Sequence, residues 1–272
     1  PSSAASDVYK RQINTWGNLY GISCVQRNHC QFTGFRITAS NQWCFNAERS
    51  TGLLMQDCTL TSTSVGGVQL QGVTITIADC TIGNFSGDGD RINNHGATQS
   101  NVTIQRTTLA GCSGRPVNQL DPGTLVVQSS TVSGYNERGI SIAGSGSSVT
   151  VRESQIKSGG RGVYVGVTAN VTVVNCLFTG LGSPAVEIEN NPDTVAAIWN
   201  CTFASLGGAG VMFKGGTGAV RNCIFTGCAG LNISGGNLAH SHNIFYQNSN
   251  HISGGTLAPT ETCLLYTSPS PR

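Results

Sequence analysis

One short phrase recurs about ten times along the chain, and it limits the fold more severely than any other feature. It runs apolar stretch, small or thiol residue, any residue, large apolar residue, as in Cys58-Thr59-Leu60, Cys176-Leu177-Phe178 and Cys223-Ile224-Phe225. The small position forms a ladder: Cys30, Cys58, Cys80, Thr107, Ser130, Ser154, Cys176, Cys201, Cys223 and Asn243. Two residues on stands a second ladder: Phe32, Leu60, Ile82, Leu109, Val132, Ile156, Phe178, Phe203, Phe225 and Phe245. The steps are 20 to 28 residues, a period that belongs to solenoids and repeat arrays.

Residues 1–12 and 263–272 stand outside this repeat. Ser2 to Gln12 resembles the translation of a transposase adapter used in preparing sequencing libraries, and Cys263 to Arg272 resembles the opposite adapter. Both segments are therefore expected to be adapter-derived, with the repeat domain spanning 13–262 and truncated at both ends. Setting aside Lys10, Arg11, Arg272 and Asp7 leaves twelve basic and twelve acidic residues, so the repeat is neutral. Such a balance gives no footprint for nucleic acid or an anionic membrane. No run approaches the ~18 apolar residues of a membrane span.

Thirty-six glycines and a charged fraction of 10%, with abundant Val, Ile, Thr, Ser and Asn, read as strands and turns. Each rung contains three strand-like pieces, clearest in Val171-Thr172-Val173, Cys176-Leu177-Phe178 and Val186-Glu187-Ile188. Three strands in 22–25 residues leave no room for a crossover helix, so the chain must coil, each turn bonding to the one below. Period-two alternation turns both ladders inward. Thr and Ser substitute for Cys at one rung position, so the site asks for a small side chain; stacked free thiols are expected there, with bridges such as Cys58–Cys80 or Cys201–Cys223 as the alternative. Cys24 and Cys44, off the ladder, are better placed for a bridge.

From Val25 to Gly255 these rungs resemble the right-handed parallel β-helix of the pectate-lyase-like superfamily, with Asn170-Val171-Thr172-Val173-Val174-Asn175-Cys176-Leu177-Phe178-Thr179-Gly180 as a typical strand–turn–strand signature. The resemblance implies an all-β, single-stranded solenoid of about ten rungs. It also implies an extracellular or cell-surface location, and a carbohydrate partner lying along the outer face of the strand that closes each rung and the corner before it. Activity has to be argued from the site.

A fixed step from the apolar ladder reaches that third strand, whose outward residues are Gln69, Asn118, Ser141, Tyr164, Glu187 and Met212. Glu189 and Lys214 follow on the same face, so Tyr164, Glu187, Glu189 and Lys214 converge on three consecutive rungs. Glu187 and Glu189 lie roughly 7 Å apart by the rise per residue. Paired carboxylates at that distance suit glycoside hydrolysis, or a hard cation such as Ca²⁺. A lyase would instead use Lys214 or Tyr164 as proton acceptor. An ordinary cross-rung ion pair between Glu189 and Lys214 is the plainer alternative. Along the corner before this strand, Asp88, Arg115, Arg138 and Arg161 occupy nearly equivalent positions, and the three arginines would suit an acidic polysaccharide. The rung at 83–100 carries Gly87-Asp88-Gly89-Asp90 and His95-Gly96, similar to elements of polygalacturonases. The companion elements of that family are absent, which leaves Asp88 and Asp90 as turn formers or calcium ligands. Two functions follow: an exported protein that binds, and in one version cleaves, a polysaccharide along the helix; or a non-catalytic surface rod such as an adhesin, stalk or spike.

Overall fold

The computed structural model describes residues 11–15, 20–39, 43–62, 66–83, 92–94, 99–255 and 262–264. Within these the chain contains strands and turns and no helix, so none is present to cross a membrane. It winds as a right-handed parallel β-helix. A representative rung is Ala169–Val174, Leu177–Leu181 and Val186–Ile188, called here the first, second and third strands. The first strands stack into a ten-stranded parallel sheet. The second and third strands form the other two sides. These sides merge into one sheet because Thr131–Ile142 and Gln155–Val165 run unbroken around the corner between them.

The corner between first and second strands explains the repeated phrase. A single residue in the left-handed region turns the chain, at Asp57, Asp79, Arg106, Ser129, Glu153, Asn175, Asn200, Asn222 and His242, with φ between 47° and 58°. Asp and Asn tolerate that conformation best, and they fill five of the nine places. The next residue is the small ladder position, which points into the core. Its side chain does more than fit. The Cys58, Cys176 and Cys201 thiols donate to the carbonyls of Gln56, Val174 and Trp199 at 3.2, 3.3 and 3.2 Å, as the Ser130 and Ser154 hydroxyls donate to Gln128 and Arg152 at 2.7 and 2.8 Å. Hydroxyls add a second bond: Ser130 Oγ accepts from the Thr107 amide and Ser154 Oγ from the Ser130 amide, one rung below in each case. The position therefore selects a small donor, which Cys, Ser and Thr all provide.

The large apolar ladder packs directly on itself. Register pairs Leu60 with Ile82, Ile82 with Leu109, and so on to Phe225 with Phe245. The rings of Phe178, Phe203, Phe225 and Phe245 stack with centroids 4.7 to 5.1 Å apart, an offset geometry that aromatic quadrupoles favour.

The first rung departs from the sequence expectation. Leu60 stands on Ile37, not Phe32, and Ile37 is the register partner of Ile13. Gln31–Thr33 is a first strand, paired with Leu53–Gln56, and Gly34 (φ 71°) makes the turn into Phe35–Ala39. Cys30 and Phe32 thus imitate the phrase one strand too early, and the anomalous step of 28 residues becomes a regular 23. Ladder pairing reaches Arg11 and Gln12 at one end, through Arg11–Thr15 on Phe35–Ala39, and Thr262–Leu264 at the other.

Ten of the eleven cysteines in the described residues, from Cys24 to Cys228, are thiols and not disulfides. Cys24 and Cys44, the better candidates for a bridge, are not joined. Register places Cys24 beside Ala47, so the two lie three residues apart along the strands. That is ~10 Å at the strand rise, beyond the reach of a disulfide.

Candidate functional site

The outward column of the third strands is in the expected register: Asn118, Ser141, Tyr164, Glu187 and Met212 are successive partners, with Gln69 two rungs below Asn118. Val186 and Ile188 face the core, so alternation sends Glu187 outward. Yet the Glu187 side chain is only 3% exposed. Two long side chains from neighbouring rungs close over it. Arg161 Nε donates to Glu187 Oε2 at 2.5 Å from the rung below, and Lys214 Nζ donates to Glu187 Oε1 at 2.7 Å from the rung above. Lys214 also donates to Glu189 Oε1 at 3.0 Å. The two cations stay partly in water, with Arg161 39% and Lys214 31% exposed, their stems covering the carboxylate.

This arrangement joins the two lines of candidates drawn separately from the sequence. Arg161, from the corner stripe, is bonded to Glu187, from the strand patch. Arg138 lies over the Tyr164 ring at 3.7 Å from its centroid. Arg115 donates to Glu137 at 2.9 Å. Tyr164, Glu187, Glu189 and Lys214 do converge, and Arg138 and Arg161 belong with them. Asp88 and Asp90, named for calcium, lie outside the described residues, and among the described residues no group of three or more His, Cys, Asp or Glu is placed to hold a metal.

The chemistry of the pair follows from its surroundings. Burial pushes the Glu187 carboxyl up, but the Lys214 hydrogen bond and the Arg161 charge outweigh it and hold the group below the ordinary carboxylate value. The Glu187 carboxylate in turn raises the Lys214 ammonium above its usual value. A glycosidase acid has to carry its proton near neutral pH, and a lysine base has to lack one. Both groups here are tuned the opposite way. A hard cation between Glu187 and Glu189 would compete with the ammonium that already bridges them. What the patch offers to a ligand is charge and hydrogen-bond donors: Arg115, Arg138, Arg161 and Lys214 stand on four of five successive rungs.

A family model described as "Right handed beta helix region" matches residues 20–195. The chain belongs to the right-handed β-helix family. No curated protein matches it. Among solved structures, the surface adhesin PfbA of Streptococcus pneumoniae is similar at 9% identity and a TM-score of 0.42, over 82% of this chain and 62% of that one. The chain thus spans less than two thirds of the adhesin's length. The A-module of the Azotobacter vinelandii mannuronan C-5 epimerase AlgE4 is similar at 13% identity and a TM-score of 0.36, over 85% of this chain and 89% of that one.

Proposed function

We propose that this β-helix protein works outside the cell or at its surface and binds an acidic polysaccharide along the third-strand face and the corner leading into it. The observation that carries this reading is the cationic row Arg115, Arg138, Arg161 and Lys214, whose most central counter-charge, Glu187, is withdrawn beneath two of its members. Guanidinium groups one rung apart can each hold a carboxylate of a uronic-acid chain in two-point contact. The reading is one of binding rather than cleavage at this patch, because Glu187 is kept ionised and Lys214 protonated. Sedimentation with soluble polygalacturonate and alginate tests it. Binding should weaken with salt and fall in a triple Arg115, Arg138, Arg161→Ala variant. If neither polymer binds, the reading is wrong. If a polymer is cleaved and Glu187→Gln with Glu189→Gln abolishes turnover, the patch is catalytic instead.

A second reading, a non-catalytic surface rod, draws on the pairing of these same charges with one another: Arg115 with Glu137, Arg161 with Glu187, Lys214 with Glu189. A rod of this kind would bind neither polymer.

A further inference from the structure

The three rungs that carry Tyr164, Glu187 and Lys214 present a different chemistry at the corner between their first and second strands. There a shallow open groove of about 480 Å³ runs across Glu153, Gln155, Asn175, Leu177, Asn200 and Thr202. It arises from the turn geometry. Glu153, Asn175 and Asn200 all sit in the left-handed turn, at φ 53°, 54° and 53°, with exposed side chains stacked one rung apart. Trp199 precedes Asn200. Ile198 faces the core, so alternation turns the indole outward, and Trp199 is 41% exposed.

Tryptophan combines a large apolar face with a polar N–H and is enriched where proteins meet their ligands and partners. The outward positions of the sheet around it, Asn170, Thr172, Val195, Ala197, Thr217 and Ala219, are uncharged; Arg221 stands beside it in register. The groove lining itself carries amides, the Ser154 and Thr202 hydroxyls and the Glu153 carboxylate, while Lys157 Nζ reaches its edge, donating to Gln155 Oε1 at 3.5 Å.

We propose that Trp199 and this corner groove form a binding site for neutral sugar residues. A pyranose ring has an apolar C–H face, which stacks on an indole, and a rim of hydroxyls, which pair with Asn175, Asn200, Gln155 and Thr202 as both donors and acceptors. Glu153 accepts from sugar hydroxyls and repels uronates. The site lies on strands other than those bearing Lys214 and Arg161, so it does not depend on the acidic-polymer reading.

The test is titration of the full chain with soluble neutral oligosaccharides of β-glucan, xylan, mannan and galactan, and with uronate oligosaccharides for comparison, followed by tryptophan fluorescence. At least one neutral series should bind and shift the emission. Trp199→Ala should weaken that binding by roughly three- to tenfold, the worth of one stacked aromatic contact. Trp199→Tyr should retain part of it, and Lys214→Ala should leave it unchanged. Because Trp199 is exposed, the alanine variant is expected to fold, which circular dichroism checks. The proposal is overturned if no neutral oligosaccharide binds, if Trp199→Ala binds as tightly as the parent, or if Lys214→Ala removes the binding.

Discussion

Replacing Lys214 by Met tests whether the outer charge network holds the rod together. Methionine keeps the apolar stem and removes the ammonium. Two hydrogen bonds disappear, and they are not equivalent. The one to Glu187 reaches a carboxylate 3% exposed, where a lost charge-assisted bond costs ~1.5–3 kcal/mol. The one to Glu189, 29% exposed, is a surface pair worth ~0–1 kcal/mol. Arg161 remains on Glu187, and a third of the ammonium already faces water, which together bring the net cost to about 2 kcal/mol. For a chain of this size that lowers Tm by about 4–8 °C. Far-UV circular dichroism melts measure the shift. Amide exchange at Val163, Val186 and Val211 localises it, since a solenoid loses stability near the altered rung. The pH dependence carries a sign. Glu187 titrates below its ordinary value, so its contribution is present above the unfolded pKa near ~4.3 and is lost as pH falls through the lower folded value. Without Lys214 the buried carboxyl is relieved by protonation, so the deficit of the variant should shrink in acid. Glu189→Gln serves as control, at under about 1 kcal/mol. A Lys214→Met melt no lower than that of Glu189→Gln would refute the reasoning.

Other positions give sharper or opposite signs. Tyr135 is buried with its hydroxyl unpartnered, so Tyr135→Phe should be neutral or stabilising by about 1 kcal/mol in denaturant melts; a clear loss would mean that the hydroxyl has a partner. A Cβ at Gly159 would stand 2.4 Å from the Tyr135 ring, whereas one at Gly182 would meet nothing closer than 3.8 Å. Gly159→Ala should therefore destabilise by ~1–3 kcal/mol and Gly182→Ala hardly at all, and equal melts would contradict the packing. At the ladder, Cys201→Ser should cost less than Cys201→Ala, because the hydroxyl keeps the bond to Trp199 O and alanine leaves it unmade. Thiol titration of the unfolded protein should give the same count with and without prior reduction; a lower count before reduction would reveal bridges.

Inward positions were the more legible part of this fold, for a physical reason. Each inward residue packs against its own equivalents one rung away, so the requirement repeats at the period of the chain and shows as a column. The error at Cys30 and Phe32 came from a first strand whose ending mimics the second-strand phrase, and the 28-residue step was its visible trace. The chemistry of the small position was only half read. Neither Ala nor Gly occurs in that column from Cys58 to Asn243, which is the mark of a site needing a donor as well as a small volume. Outward positions were assigned to the correct face, but alternation says nothing of what folds over that face. Arg161 and Lys214 lie 26 and 27 residues from Glu187 along the chain, and whether a long side chain leans across a rung depends on rotamers and neighbours that have no period.

That asymmetry indicates where function is to be sought in such a rod. Stability is close to a sum of rungs and their contacts, so the outward positions of any one rung can change with little effect on the remainder. Most of the outward columns are accordingly Thr, Ser, Asn and Ala. Among the places that break the pattern are the ion-paired patch around Glu187 and the exposed Trp199, next in sequence to Asn200 of the amide-lined groove. Both fall on the rungs 147–165, 169–189 and 195–214. Neither is required to hold the inward ladders in register, since rungs below them do so with Ser141 and Asn118 at the Glu187 position and with Gln128 and Gln105 at the Trp199 position. Features that a rung can omit and still stack are the ones that stacking does not explain, so substitutions there separate binding from stability.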